Sequence, residues 1–453
     1  MEASGERKKL GFWMCLSLVV GCLIGSGIFL LPAELAPYGW NALIGWIITI
    51  VGATCLAYLF GQLARALPLA GGPYAYVEHA FGQLPAFAVT WSYWISLWSG
   101  NAAIAIAVVS YMSLFAPGLS SVPGAAAIAA IALIWGLTAL NCISVRAGGS
   151  FQLMTAILKL VPLVVVIAIA ARILLRGEPT ATPPFASADI NLSSVNAAAA
   201  LTLWAMLGFE AASVASREVN DPARNIPRAT VLGTLLVGAI YLLTATPITM
   251  FLPLSEVQAS NAPFSAFVSH YWSPGFGSLI GLFAAISAMG ALNGLVLIQG
   301  ELPVAMARDG TFPRWFAKTS ARGVAVRAQL LSTTLATILI AANFSRSMAG
   351  LFAFMALLST ATTLILYFAC ALSAWRLQHI GQLKGPLLVT PIAIVGSVFA
   401  IWTFYGAGIE PTLWSAALVA AGVPVYVLMR RAAGLNSSAS TLAPVAAPAA
   451  PRE

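Results

Sequence analysis

Long apolar runs separated by short polar or turn-forming segments recur along the whole chain. A run of about 20 apolar residues is long enough to cross a lipid bilayer as an α-helix. Twelve such runs are present, and each predicts one membrane-spanning helix. They cover residues 11–32, 41–64, 84–115, 124–144, 151–175, 194–218, 226–252, 275–304, 326–343, 347–375, 386–407 and 411–431. The pattern therefore predicts an all-α polytopic membrane protein.

The first run carries a signal for a break near its middle, Gly25-Ser26-Gly27. Its two glycines let the backbone leave helical angles without a Cβ clash. At membrane depth the freed N–H and C=O groups need partners, so such a break is tolerated where it lines a cavity. The helix that restarts there would direct its N–H groups and positive dipole end at an anionic group such as a carboxylate. Close helix packing through small residues is the alternative explanation.

The sixth run contains a similar interruption, Leu207-Gly208-Phe209-Glu210, about halfway along. Two interrupted spans at matching places in two halves of a chain are a sequence signature of a transporter binding site. Residues 11–175 and 194–375 would then be two five-helix repeats of inverted topology, with 386–431 as helices 11 and 12. The pairing favours a binding role for residues 25–27 over simple packing.

Composition and charge agree with a membrane location. The chain is 60% hydrophobic and 8% charged, with a mean hydropathy of +0.90, whereas a soluble domain is about 25% charged. All but four of its 22 Lys and Arg residues fall on one predicted side; the exceptions are Lys159, Arg172, Arg176 and Arg346. Basic residues favour the cytoplasmic side. The chain is therefore predicted to have a cytoplasmic N-terminus, residues 1–10, and a disordered cytoplasmic tail, residues 432–453.

Cysteine and histidine usage indicates no metal, disulfide or cofactor. The five cysteines and three histidines are scattered at unrelated spacings. The net charge of +8 follows the membrane topology, so no nucleic-acid partner is expected.

Two ionisable residues lie inside predicted spans, where charge is expensive and usually functional. Glu210 lies beside Gly208 in the sixth run and is a candidate proton- or cation-sensing group; its alternative role is to cap the broken helix. Lys159 lies well inside the fifth run, where its amine would lose a proton or replace a bound cation. Snorkelling to the membrane surface is the alternative for this lysine.

Polar and aromatic residues in the third and sixth runs add candidate contacts. Asn101 is suited to bond a substrate or an unwound backbone, and Tyr93 is suited to act as a gate. Trp204, six residues before Glu210, is placed to cover a substrate, with cation–π attraction if that substrate is a cation. Core packing is the alternative for the tryptophan.

Several stretches together resemble the amino acid–polyamine–organocation (APC) superfamily, and most of all its basic amino acid and polyamine antiporters. The matching pieces are Gly25-Ser26-Gly27-Ile28-Phe29, Leu31-Pro32-Ala33, Gly71-Gly72-Pro73-Tyr74-Ala75-Tyr76, Thr202-Leu203-Trp204, residues 208–214 and Asn225-Ile226-Pro227-Arg228-Ala229. The resemblance implies a LeuT-like fold with broken helices 1 and 6, alternating access and no enzyme chemistry. Among its relatives the arginine/agmatine antiporter is the nearest comparison.

The resemblance also implies roles for individual residues. The expected substrate-binding set is Leu23, Ser26, Gly27, Asn101, Trp204, Leu207 and Ser359. The expected gating and proton-coupling set is Tyr93, Glu210, Tyr367 and Lys159, the last resembling a span-five lysine that occupies a sodium-site position in proton-coupled members. From the same relatives we expect a location in a bacterial inner membrane, a homodimer, lipid contacts and a role for protons.

The identity of the substrate stays open at this point. The resemblance favours a cationic amino acid or amine such as arginine or agmatine. Two departures favour a neutral amino acid: Leu295 stands where the arginine/agmatine antiporter has a second tryptophan, and Lys159 adds a positive charge. A channel or a non-transporting sensor is the alternative from another class, although the short loops offer a sensor no output domain.

Overall fold

The computed structural model describes residues 10–25, 27–67, 72–143, 158–214, 219–320, 323–383 and 386–441. Across these ranges the regular structure is helical, and the β-type pairing is an isolated bridge between Leu10 and Val219. The prediction of an all-α polytopic protein is confirmed at this level. Several predicted features lie outside the described residues: Ser26, most of the N-terminal segment, residues 151–157 and 215–218 of the fifth and sixth runs, and the end of the tail.

Nineteen α-helices are assigned within the described ranges. In the first half they are α1 (Phe12–Leu23), α2 (Gly27–Leu35), α3 (Trp40–Ala66), α4 (Pro73–Phe81), α5 (Gln83–Met112), α6 (Gly118–Ser121), α7 (Ala125–Ile143) and α8 (Leu160–Arg176). In the second half they are α9 (Leu192–Ala205), α10 (Ala211–Val214), α11 (Pro222–Phe251), α12 (Leu254–Ala259), α13 (Pro263–Tyr271), α14 (Pro274–Arg308), α15 (Val326–Ala342), α16 (Met348–His379), α17 (Val389–Gly406), α18 (Ile409–Ala420) and α19 (Gly422–Thr441).

Eight helical segments of the described chain are long and apolar enough to cross a membrane. They are α3, α5, α7, α11, α14, α16, α17 and the segment Ile409–Arg431 formed by α18 and α19. A ninth span results if α1 and α2, which are bent by 45° where they meet, are counted together. Helices α9 and α15 are apolar but shorter, and α8 has 17 residues. The count of twelve spans therefore stays a prediction.

The C-terminal helix differs from the expectation of a disordered tail. Helix α19 ends at Thr441, so it extends into the stretch that was predicted to start the tail at residue 432. The first proline of that stretch is Pro444. Every residue from 432 to 443 therefore keeps the backbone N–H group that a helix needs. The low-complexity composition alone did not show where the helix ends.

The helices pack as two groups, and α5 belongs to one of them. Helix α5 is the most enclosed of the described spans, because 94% of its most apolar 18-residue stretch is buried. It packs against α14 and α16. Helices α7, α14 and α15 pack on one another and on α5, whereas α1, α3, α9 and α11 form a second set of contacts. The helix interruptions of α1–α2 and α9–α10 lie between these two groups.

Candidate functional site

A cavity of about 300 Å³ lies where the two interrupted helices meet. The interruptions contribute backbone and side chains to its wall, and α5, α14 and α16 close it. The residues that line the cavity and contribute helix-break backbone, polar or charged groups, or the walls of the substrate space are Gly21, Cys22, Leu23, Gly25, Gly27, Tyr93, Lys159, Trp204, Leu207, Gly208, Glu210, Ser287, Leu295 and Ser359. A cavity of this size accommodates a small organic molecule.

The first interruption leaves carbonyl groups that side chains from other helices contact. Helix α1 ends at Leu23 and α2 begins at Gly27. The Tyr241 hydroxyl of α11 donates a hydrogen bond to the Leu23 carbonyl oxygen at 2.8 Å. The Lys159 ammonium, just before α8, donates to the Gly21 carbonyl oxygen at 2.7 Å. These bonds supply the partners that a broken helix at membrane depth requires.

The second interruption depends on glycine at position 208. The chain leaves helix α9 after Ala205 and runs through a turn from 206 to 210. Gly208 has φ +114°, a conformation that L side chains rarely adopt. A Cβ atom at Gly208 would also lie 3.3 Å from the carbonyl oxygen of Cys22 in the first interruption. Glycine therefore permits both the turn and the close approach of the two breaks.

Glu210 is a buried carboxyl whose two oxygens both accept hydrogen bonds. Its side chain is 2% exposed. The Tyr93 hydroxyl donates to Oε1 at 3.0 Å, and the Tyr367 hydroxyl donates to Oε2 at 2.8 Å. The Gly208 N–H donates to Oε2 at 3.2 Å. Three donors satisfy a buried carboxylate, and they join α5, α16 and the turn at a single group.

Trp204 occupies a slot that two glycines leave open. A Cβ at Gly27 would lie 2.9 Å from the indole Nε1, and a Cβ at Gly100 would lie 3.1 Å from the far edge of the ring. The ring is buried, and its Nε1 has no hydrogen-bond partner among the described residues. The indole thus fills the space between α2 and α5 at the cavity wall, with one donor free.

Lys159 and Glu210 are the two charged residues among the described lining residues. Cys22 lines the same cavity. Cys22 is also the exposed member of the five cysteines, whereas Cys15 and Cys370 are buried. The cavity therefore carries one positive group, one negative group and one accessible thiol near the helix break.

Three further predicted residues take different positions. Ser359 lines the cavity, and its hydroxyl donates to the Ser96 carbonyl oxygen at 2.8 Å. Tyr367 bonds Glu210 from behind the lining residues. Asn101 is fully buried and is not among the lining residues; its amide Nδ2 donates to Gln299 Oε1 at 2.7 Å. Asn101 therefore points its donor at α14 and away from the cavity.

Sequence reasoning missed several residues of this site. Tyr241 was not singled out, although a tyrosine inside a predicted span is a signal for a buried hydrogen bond. Ser287 lines the cavity from α14, is buried, and has no described hydrogen-bond partner. Gly100 had no local signal, because its role depends on the three-dimensional approach of Trp204.

The cavity is closed at the end remote from the N-terminus of α1. The Tyr111 hydroxyl donates to the Phe29 carbonyl oxygen at 2.8 Å and accepts from the Phe264 N–H at 3.3 Å. The Phe29 and Phe264 rings meet edge to face at 5.3 Å. On the other side the lining extends to Ser17 and Leu18 in α1. Access is therefore from the end where the chain begins.

The described residues contain no group of three or more His, Cys, Asp or Glu side chains arranged to hold a metal ion.

An apolar helical chain with a central cavity between two interrupted helices defines a polytopic membrane protein of the transporter class. The profile of the amino acid permease family matches residues 10–429. The chain belongs to this family, and its predicted membership of the APC superfamily is confirmed. The family is one of transporters and not of enzymes.

Individual relatives match over nearly the whole chain. The cadaverine/lysine antiporter of Escherichia coli K12 is 32% identical over 416 residues, which are 89% of this chain and 90% of the relative. The putrescine transporter PotE of Haemophilus influenzae is 29% identical over 433 residues, covering 93% and 97%. The putrescine transporter PotE of Escherichia coli K12 is 27% identical over 435 residues, covering 94% and 97%.

Proposed function

We propose that this protein is an amino acid/amine antiporter of a bacterial inner membrane that works by alternating access. The observation that carries the proposal is the meeting of two interrupted helices at one cavity beside the buried Glu210. The family assignment supports the same function. The proposal includes twelve spans, an inverted repeat of residues 11–175 and 194–375, and cytoplasmic termini.

The backbone of the first interruption is the proposed site for a substrate carboxylate. Helix α2 begins at Gly27, so its first N–H groups have no partner within the helix and lie at the positive dipole end. Ser26 belongs to this proposed cradle. The substrate amine would lie against carbonyl groups near Leu23 and Leu207, and Trp204 would cover the substrate from α9.

The hydrogen-bonded group of Tyr93, Glu210 and Tyr367 is the proposed gate and proton-coupling site. Tyr93 and Glu210 line the cavity, and the group joins α5 and α16 to the turn that follows α9. Protonation of Glu210 turns one acceptor oxygen into a donor, so at least one of its three hydrogen bonds must rearrange. A change in proton occupancy would thereby alter the contact of α5 and α16 with the turn that follows α9.

A cationic substrate is the first candidate. The relatives are named for cadaverine, lysine and putrescine, and Glu210 supplies a negative charge to the cavity. A neutral amino acid is the second candidate. Lys159 places a positive charge at the same cavity, and the side chain that α14 contributes at position 295 is a leucine and not an aromatic ring. Arginine/agmatine exchange is one form of the first candidate.

Counterflow in proteoliposomes tests the proposal. Vesicles are preloaded with unlabelled lysine, arginine, alanine or buffer, and uptake of labelled lysine, putrescine, cadaverine, agmatine and leucine is measured. We expect saturable uptake of a cationic compound that is several-fold faster into lysine-loaded than into buffer-loaded vesicles. Uptake indifferent to the internal amino acid would contradict antiport. Stimulated uptake of leucine alone would select the neutral candidate.

A further inference from the structure

The loop between α14 and α15 carries an exposed aromatic residue on a packed turn. A short 3₁₀ turn, Arg314–Ala317, lies in this loop. Its Phe316 is buried, and the Phe316 ring meets the Trp94 ring of α5 edge to face at 5.8 Å. The neighbouring Trp315 is 47% exposed and meets the Phe316 ring edge to face at 5.1 Å. The buried ring therefore holds the turn against the helices and leaves the indole at the surface.

Arg327, the second residue of α15, lies over this exposed indole. Its guanidinium carbon is 5.6 Å from the centre of the Trp315 ring, which is within the range of a cation–π contact. Within the described chain the guanidinium forms no ion pair with a carboxylate. The ring thus restrains the arginine side chain, while the N–H donors of the guanidinium stay available to a ligand.

The surface around this pair is basic and has no compensating carboxylate. Arg314 and Lys318 are exposed in the same loop, and neither forms an ion pair with a described residue. Residues 310–409 contain no Asp or Glu. Asp309, just before this stretch, lines a different pocket. Together with Arg327, these side chains therefore offer a positive surface to a ligand of negative charge.

An exposed, mainly apolar stripe runs along α15 from Arg327. Leu330 is 41% exposed and Ile338 is 59% exposed, and Thr334 between them is also exposed. Spacings of three and four residues place all of them on one helix face. The Thr334 hydroxyl donates to the Leu330 carbonyl oxygen at 2.8 Å, so this polar group needs no partner from outside the helix. The stripe is therefore suited to contact a lipid acyl chain.

We propose that Trp315, Arg327 and the basic residues Arg314 and Lys318 bind the phosphate headgroup of an anionic phospholipid whose acyl chain lies along α15. The planar guanidinium matches a phosphate with two parallel hydrogen bonds. Because the loop joins the ends of two apolar helices, it lies at a bilayer surface, where tryptophan is enriched and basic residues attract anionic lipids. A free phosphate ion would use the charges but leave the apolar stripe uncovered.

The inference goes beyond the proposed function, because it depends on the chain lying in a membrane and not on exchange. Binding of a fluorescent phosphatidylglycerol to the full-length protein in zwitterionic detergent micelles tests it. We expect unlabelled phosphatidylglycerol to displace the probe at a concentration at least about fivefold lower than phosphatidylcholine. Inorganic phosphate in large molar excess is expected to leave the probe bound.

Two variants separate the charge from the aromatic contact. Arg327→Gln removes one positive charge and is expected to weaken binding of phosphatidylglycerol about fivefold or more. Trp315→Leu keeps every charge but removes the ring beneath the guanidinium, so it is expected to weaken binding about two- to fivefold. Arg224→Gln is the matched control. Arg224 is an exposed arginine of α11 without a described aromatic or carboxylate partner, and its loss is expected to leave binding unchanged.

Three results would overturn the inference. Equal displacement by phosphatidylcholine and phosphatidylglycerol would show that the headgroup charge is not recognised. Displacement by inorganic phosphate would assign the charges to a free anion. Equal weakening by Arg224→Gln and Arg327→Gln would show a diffuse attraction to surface charge. Should Arg327→Gln not give monodisperse protein, Trp315→Leu decides: unchanged affinity contradicts the site. The assay needs no exchange activity, so its outcome is independent of the counterflow experiment.

Discussion

Glu210 is the residue on which the proton-coupling proposal depends most. Its carboxyl holds two tyrosines from different helices and one backbone N–H of the neighbouring turn. An isolated buried carboxylate is costly, but three donors offset much of that cost. The same arrangement makes the site sensitive to a single proton, because a protonated carboxyl accepts fewer hydrogen bonds than a carboxylate.

Glu210→Gln is predicted to flatten the pH dependence of exchange. The amide keeps the size of the side chain and one acceptor oxygen, but it has no proton to gain or lose. Exchange rates measured between pH 5 and 8 should vary several-fold in the unmodified protein and much less in the variant. An unchanged profile in Glu210→Gln, combined with a flattened one in Lys159→Met, would move the coupling role to the lysine.

Trp204→Leu is predicted to weaken transport of a cationic substrate. The indole faces the cavity from the slot between Gly27 and Gly100, and a cation–π contact of about 0.5–2 kcal/mol would be lost. We expect KM to rise by about two- to thirtyfold and Trp204→Phe to restore part of the affinity. Trp272→Phe, at the exposed end of α13, is the control and should behave like the unmodified protein. An unchanged KM in Trp204→Leu would show that the indole makes no contact with the substrate.

Part of this site could be predicted one residue at a time. A carboxyl beside a glycine in an apolar run identified Glu210, because nothing in a bilayer offsets an unpartnered charge. Tyr93 was predicted as a gate from its place in the third run and Tyr367 through the family resemblance, but their bonds to that carboxyl were not predicted, since they are 117 and 157 residues away from it. The Asn101–Gln299 bond spans 198 residues and had no local signal.

At the scale of helices, the two interruptions depend on backbone conformations that few residues allow. Gly208 combines a positive φ with a position where a Cβ would lie 3.3 Å from the carbonyl oxygen of Cys22, so the second break is shaped around the first. The free ends of α2 and the turn at 206–210 then face a common space. The geometry of the cavity follows from how closely these two backbones approach.

Gly208→Ala is predicted to destabilise the protein and abolish exchange. A non-glycine residue held at this φ costs of the order of 1–3 kcal/mol, and its Cβ would also crowd the first break. The melting temperature in detergent and the exchange rate report the two effects. Gly136→Ala, whose Cβ would meet nothing within 4 Å in α7, is the control and should be neutral or slightly stabilising. A fully active Gly208→Ala would contradict the role assigned to the turn.

Apolar runs predicted an all-helical membrane protein, but not how its helices end. The run at 194–218 was correctly expected to be interrupted, because Gly208 offered the backbone a way out of the helix. The low-complexity composition placed the start of the tail at residue 432, whereas α19 continues to Thr441. Helix ends depend on capping and packing contacts that composition does not encode.

At the scale of the whole molecule, the protein is held with its cavity accessible from one end. Tyr111 links Phe29 to Phe264 and seals the opposite end through α2, α5 and α13. A transporter must also reach a state in which this seal is broken and the other end is closed. Movement of the two groups of packed helices against each other would accomplish this change.

Labelling of Cys22 by a small membrane-impermeant methanethiosulfonate tests the central claim most directly, because this thiol lies in the cavity at the helix break. The reagent is applied separately to right-side-out and inverted vesicles, with Cys22→Ser as the background control. We predict modification from the cytoplasmic side that saturating transported substrate slows several-fold, while a non-transported amino acid has no effect. Labelling that is indifferent to every substrate that the protein exchanges would contradict a binding site between the two interrupted helices.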